Sequence, residues 1–189
     1  MNDRHLVLCA STEWFDAVRN WIVPWAVEGV DLGDDVLEIG PGPGATTAVL
    51  HGLVRRLTVV EIDGVLAARL VERYQDNPGV DVVQADATET GLPGGRFDSA
   101  VCLTMLHHVP GAAEQNALFA EAFRLLRPGG VFLGSDSLDG PEFRELHEGD
   151  VCVPVDPATL DARLAEAGFV DVHVETNEYA VRFRAHTPA

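Results

Sequence analysis

Two kinds of apolar pattern alternate along most of this chain. Short β-branched and aliphatic runs predict buried strands at Val36–Ile39, Leu57–Val60, Val80–Val83, Phe97–Leu103, Val131–Gly134, Val170–Val174 and Tyr179–Phe183. Between them, apolar positions recur at helical spacing, predicting helices over Ala45–Val54, Val65–Tyr74 (stripe Leu66, Leu70, Tyr74) and Ala112–Leu126. A further helix opens at Asp156-Pro157 and is closed by Gly168. Pro128-Gly129-Gly130 stops the Ala112–Leu126 helix, and Asn77-Pro78-Gly79 reads as a turn. Near the N-terminus, Ser11 and Thr12 form an N-cap signal for a helix over Glu13–Glu28, which Pro24 should kink or divide.

Apolar strands alternating with helices imply an α/β fold, a three-layer arrangement with a mostly parallel sheet covered on both faces. The last two strands are too close in sequence for a parallel crossover, so one of them must run antiparallel. No linker or internal repeat interrupts the pattern. The expectation is a single domain over residues 1–189, with 1–33 as a helical cap and 34–189 as the core.

The most informative stretch is Glu38-Ile39-Gly40-Pro41-Gly42-Pro43-Gly44, between the first strand and the first helix of the core. Its glycines permit a tight turn and close approach of a ligand to the backbone. Gly40, Gly42 and Ala45 loosely satisfy a dinucleotide fingerprint, a weak signal alone. Pro41 and Pro43 have no N–H and reduce the donors available to a pyrophosphate. Glu38 puts an anion where a pyrophosphate is disfavoured but a sulfonium or ammonium group is welcome.

With these features the chain resembles the class I S-adenosylmethionine (SAM)-dependent methyltransferases, whose first motif is E/D-x-G-x-G-x-G. The resemblance continues in order over roughly residues 35 to 186. Val59-Val60-Glu61-Ile62-Asp63 is similar to the end of their second strand, which implies that Glu61 accepts from the ribose hydroxyls, with Ile62 beside it. Val83-Gln84-Ala85-Asp86-Ala87 resembles the segment contacting the adenine amino group, implicating Asp86 and Ala87. Phe97-Asp98 through Leu106-His107-His108-Val109 looks like the fourth strand and its loop, with Leu103 at the cofactor. Leu125-Leu126-Arg127-Pro128-Gly129-Gly130 matches the turn before the fifth strand. The implied cofactor-binding residues are therefore Glu38, Gly40, Pro41, Gly42, Gly44, Glu61, Ile62, Asp86, Ala87 and Leu103. The implied fold is a Rossmann-like sandwich with a seven-stranded sheet and one antiparallel C-terminal strand. The implied reaction is methyl transfer from SAM, leaving S-adenosylhomocysteine.

Composition and charge narrow the acceptor. The net charge is −17, and the 13 basic residues, all arginine, are dispersed, which disfavours a polyanion. The Glu38-Ile39-Gly40-Pro41-Gly42-Pro43-Gly44 and Val60-Glu61-Ile62-Asp63 segments are similar to those of ribosomal RNA adenine dimethylases. Their Asn-(Leu/Ile)-Pro-Tyr-type grip is absent, and Leu103-Thr104-Met105-Leu106-His107-His108 stands in its place. A small organic acceptor is expected, with no nucleic-acid or membrane partner. Neither a secretory leader nor a membrane span is legible, giving a cytoplasmic expectation. Cys9, Cys102 and Cys152 are too scattered for a disulfide framework or a zinc ribbon, and read as reduced thiols.

Candidate chemistry beyond the cofactor is thin. Asp98 reads as a turn-positioning residue and Asp63 as a helix N-cap. His107 and His108 are adjacent, so at most one faces a cleft. No carboxylate cluster suits Mg²⁺, and no metal ligands are expected. Trp14, Trp21 and Trp25 read as core packing or as an acceptor wall, and the stretch 138–155 (Phe143, His147, Cys152) is the other possible acceptor wall. Two rival activities are a nicotinamide-dependent oxidoreductase and a non-catalytic SAM-binding module.

Overall fold

All seven expected strands belong to one sheet in the computed structural model, which describes residues 2–189. They are β1 (Asp35–Ile39), β2 (Arg56–Glu61), β3 (Val80–Gln84), β4 (Phe97–Leu103), β5 (Leu126–Ser137), β6 (Val170–Thr176) and β7 (Ala180–His186). Their order is β3-β2-β1-β4-β5-β7-β6. β1 pairs in parallel with β2 and β4, and β7 is antiparallel to both β5 and β6. Asn177 Oδ1 accepts from the N–H groups of Tyr179 and Ala180, tightening the β6–β7 hairpin. That short turn forces β7 into the antiparallel sense the sequence required of one strand.

Helices cover both faces because adjacent strand residues point to opposite sides. Leu37, Ile39 and Cys102 pack with Phe119, Phe132, Leu160 and Phe169, joining the sheet to α6 (Ala112–Leu125) and α8 (Pro157–Glu166). Val36, Leu57, Val59 and Val101 pack on the other face with Leu50 of α4 (Ala45–Leu50) and Leu70 and Tyr74 of α5 (Gly64–Tyr74). Val18 and Val23 of the N-terminal helices join the second core.

Local boundaries depart from the sequence reading for identifiable reasons. Leu126 pairs with Phe97 and already belongs to β5, although its spacing continued the helix. Pro128-Gly129-Gly130 consequently lies within β5, at an irregularity of its pairing where Pro128 and Gly129 are exposed. α4 ends at Leu50, short of Val54, with turns bonded at Gly52 and Leu53. The expected N-terminal helix is present as α2 (Thr12–Ala17), a π-helical turn (Val18–Ile22) and α3 (Val23–Ala26). Ser11 caps it, its hydroxyl accepting from Trp14 N–H. Pro24 has no N–H to donate to Asn20, and the wider turn just before it, in which Val23 N–H reaches Val18 O, precedes that break. Two short helices were not anticipated, α1 (Asp3–Cys9) and α7 (Pro141–Leu146). Among the described residues no helix is long and apolar enough to cross a membrane.

Candidate functional site

After β1 the chain builds the sheet outward to β2 and β3, then returns to place β4 on the other side of β1. Such a reversal leaves a crevice beyond the carboxyl ends of the strands. A cavity of about 420 Å³ occupies that position. One part of its wall comes from Gly40, Pro41 and Gly42 after β1, Glu61 and Ile62 after β2, and Asp86 and Ala87 after β3. Leu103, Thr104 and Met105 after β4 supply its floor, and His5, Cys9, Trp14, His108 and Val151 line it elsewhere.

The glycine loop is held in a shape that side chains would oppose. Gly40, Gly42 and Gly44 have φ of 67°, 55° and 89°. A Cβ on Gly40 would stand 2.7 Å from Met105 Cε, and one on Gly44 would stand 2.5 Å from Leu70 Cδ2. Gly40 therefore lets the β1 and β4 ends approach each other. Gly44 caps α4 and packs against α5, standing off the cavity wall.

Glu61 and Glu38 divide the electrostatics of this end. Glu61 accepts from Gly42 N–H at 3.0 Å and Asp63 N–H at 2.9 Å, so the second strand fixes the glycine loop. One bond goes to each carboxylate oxygen, and each keeps accepting capacity toward the cavity. Burial raises the pKa of Glu61, opposed by these two amides. Glu38 does not line the cavity; it is 2 % exposed, with both oxygens unpaired. Burial pushes its carboxyl up to about 8, and the Glu61 charge adds to that. The Thr47 hydroxyl pulls the other way without reaching hydrogen-bond geometry with either oxygen. Glu38 thus stands behind the glycine loop, its carboxyl held well above the usual carboxylate range by burial.

Asp86 Oδ1 accepts from Thr88 N–H and the Thr88 hydroxyl, both at 2.8 Å, which orients an otherwise exposed carboxylate at the rim. Ile62 is 66 % exposed, an apolar side chain at the same rim. Asp63 is the N-cap of α5, accepting from Val65 and Leu66 N–H. Asp98 is remote from the cavity; it accepts from Asp34 and Asp35 N–H and pairs with Arg127.

The opposite end of the cavity is where the sequence reading was least complete. Of the three tryptophans only Trp14 lines it. Trp21 is 75 % exposed, and Trp25 lies under the Arg182 guanidinium, 5.1 Å from ring to carbon. The expectation that Trp21 contacts an acceptor is therefore corrected: the π-helical turn rotates it outward. From the stretch 138–155, Asp150 and Val151 reach the cavity, whereas Cys152 does not. All three cysteines are free thiols, and burial raises Cys9 to about 11. Thr104 adopts φ 52°, an uncommon backbone state for a β-branched residue, right at the cavity floor.

Of the adjacent histidines, His108 borders the cavity and His107 is buried behind it. His107 Nδ1 meets Asp136 Oδ1 at 2.6 Å, and Asp136 Oδ2 accepts from the His107 N–H of the backbone. His5 of α1 and His147 after α7 complete a group of four imidazoles that no sequence spacing brings together. Burial, then the neighbouring rings, depress His5 to about 4 and His108 to about 3. His108 is accordingly a weak proton acceptor for catalysis at neutral pH.

Comparison with known proteins agrees with this geometry. The model of the family described as "Methyltransferase domain" matches residues 37–134, just over half of the chain. A probable S-adenosylmethionine-dependent methyltransferase of Mycolicibacterium smegmatis is 35% identical over 103 residues, covering 54% of this chain and 38% of its own length. A ribosomal RNA small subunit methyltransferase A of Fusobacterium nucleatum is 36% identical over 77 residues, covering 41% and 28%. The chain thus spans well under half the length of these curated relatives. A phosphoethanolamine N-methyltransferase 2 of Haemonchus contortus, solved with S-adenosyl-L-methionine, shares the fold with a TM-score of 0.75. It is 15% identical and covers 98% of this chain and 60% of its own. Motif, fold and family match converge, and the chain belongs to the class I SAM-dependent methyltransferase family.

Proposed function

We propose that this protein transfers the methyl group of SAM to a small, partly apolar organic acceptor. The observation that carries the reading is one cavity with two chemically different ends, a glycine-loop end with Glu61 and Asp86 and an end lined by Trp14, Cys9, His5 and His108. The first end fits the cofactor. Gly40 and Gly42 expose backbone, Glu61 retains acceptor capacity suited to a diol, and Ile62 with Ala87 offers an apolar surface to a flat base. Asp86 offers an acceptor to an exocyclic amine, and Pro41 and Leu103 complete the walls. Gly44 and Glu38 act from behind, shaping the loop. Bound SAM supplies an already activated methyl group, so the protein's task is to align the acceptor and keep water out. That task needs no catalytic dyad unless the acceptor carries a high-pKa proton.

Selectivity for SAM over a nicotinamide dinucleotide follows from Pro41 and Pro43, which remove two amide donors from the loop. Calorimetry is expected to give SAM and S-adenosylhomocysteine affinities at least tenfold tighter than NADH. Tight NADH binding with no SAM binding would overturn the assignment.

For the acceptor, the segment 1–33 contributes Trp14, Cys9 and His5 to the wall. A large aromatic buries apolar ligand area efficiently. Trp14→Ala is expected to raise the acceptor KM by about tenfold, with SAM affinity changed little. Trp21→Ala should leave both parameters unchanged, because its ring faces solvent. Equal effects of the two substitutions would remove Trp14 from the acceptor site. The −17 charge and the missing Asn-Pro-Tyr-type grip argue against RNA. A labelled-methyl screen that finds transfer to RNA and to no metabolite fraction would end the small-molecule reading.

A further inference from the structure

We propose that His5, His107, His108 and His147 form a binding site for one divalent transition-metal ion of the zinc class. One ring nitrogen from each residue can be chosen so that all four lie within 4.8 Å of one another. Donors around a tetrahedral zinc stand about 3.3 Å apart, given metal–nitrogen distances of about 2.0 Å. Small rotations of the rings would close the difference.

Hydrogen bonding already selects the tautomers that coordination needs. His147 Nδ1 lies 2.6 Å from the Phe143 carbonyl oxygen, and His108 Nδ1 lies 3.3 Å from the Val151 carbonyl oxygen. A carbonyl oxygen only accepts, so each Nδ1 carries the proton and each Nε2 is left with a lone pair. His107 Nδ1 bonds the Asp136 carboxylate and leaves Nε2 in the same state. The Nε2 atoms of His107 and His147 are buried with no protein partner, in residues only 2% and 3% exposed. Buried acceptors facing one another without a donor are costly, and a cation is the ligand that satisfies several together.

The surroundings favour that cation. Asp136 on His107 reproduces the carboxylate–histidine arrangement that orients metal ligands and raises their basicity. Asp150 Oδ2 lies 3.9 Å from His5 Nδ1, a second negative charge beside the cluster. Phe143 packs on His107 and His147 at ring separations of 5.0 and 4.3 Å and excludes water from that side. All-imidazole ligation suits zinc, copper or nickel and not magnesium or calcium. The ligands come from α1, the turn after β4 and the segment after α7, so one ion staples three distant parts of the chain around the acceptor end of the cavity. From sequence no metal ligands were expected; this site departs from that expectation and does not depend on the methyl-transfer reading.

The test uses the full chain without any histidine tag, stripped with a chelator and titrated with Co²⁺ and Zn²⁺. The expected result is one ion per chain, with intense visible absorption of tetrahedral cobalt that zinc abolishes, and a higher melting temperature of the loaded protein. His107→Ala and His147→Ala should each abolish the cobalt spectrum. Asp136→Asn should weaken binding by roughly 10- to 100-fold. His108→Gln, at the half-buried member, should weaken binding and alter the spectrum even where the buried variants fail to fold. A folded chain that shows no cobalt spectrum and no thermal shift overturns the proposal. So does a spectrum that His108→Gln and Asp136→Asn leave unaltered in shape and affinity.

Discussion

Glu38→Gln is expected to make the folded protein more stable at pH 8.5 by several kcal/mol while changing little at pH 5. The carboxyl is buried with both oxygens unpaired, and its pKa rises from 4.5 to about 8. Folding therefore takes up a proton in this interval, and stability falls as pH rises through it. The contribution from a neutral Glu38 is complete below pH 4.5 and is lost as pH climbs to about 8. At about 1.4 kcal/mol per pKa unit, the interval corresponds to a loss on the order of 5 kcal/mol. Glutamine keeps the shape and cannot ionise, so it removes that slope. Urea denaturation of both proteins across pH 5 to 8.5 measures the difference directly. Parallel stability curves would show that Glu38 is solvated or paired in solution.

Glu61→Ala should weaken SAM binding by about 1.5–3 kcal/mol, the range for hydrogen bonds to a charged acceptor. That is roughly 10- to 150-fold in Kd. Glu61 also holds the Gly42 and Asp63 amides. Removing it leaves the glycine loop without its tie to β2, so the ligand-free melting temperature should drop as well. Glu61→Gln retains one carbonyl acceptor and should fall between wild type and alanine on both measures. Unchanged SAM affinity in the alanine variant would show that Glu61 serves the fold alone.

The glycine-loop end of the site was legible because its chemistry is local. Gly40 and Gly42 need positive φ, Glu61 ends β2, Asp86 follows β3, and all sit within a few residues of a recognisable strand terminus. Eight of the ten implied cofactor residues line the cavity for this reason, while Glu38 and Gly44 stand behind it. The apolar runs likewise marked the seven strands, and the short connection between the last two required one of them to be reversed. The acceptor end obeys no such local rule. Whether Trp14 or Trp21 faces inward depended on a π-helical turn ahead of Pro24, and a period of 3.6 does not encode that rotation. The protonation of Glu38 depended on how completely the packed helices and sheet exclude water from it. The meeting of His5, His107, His108 and His147 depended on three segments folding over one crevice. Sequence by itself determined the strands, the main helices, their layering and the glycine loop, because those follow from short-range periodicity and backbone sterics. Only the tertiary structure decided which side chains converge, because long-range packing brings together residues whose separation along the chain carries no signal.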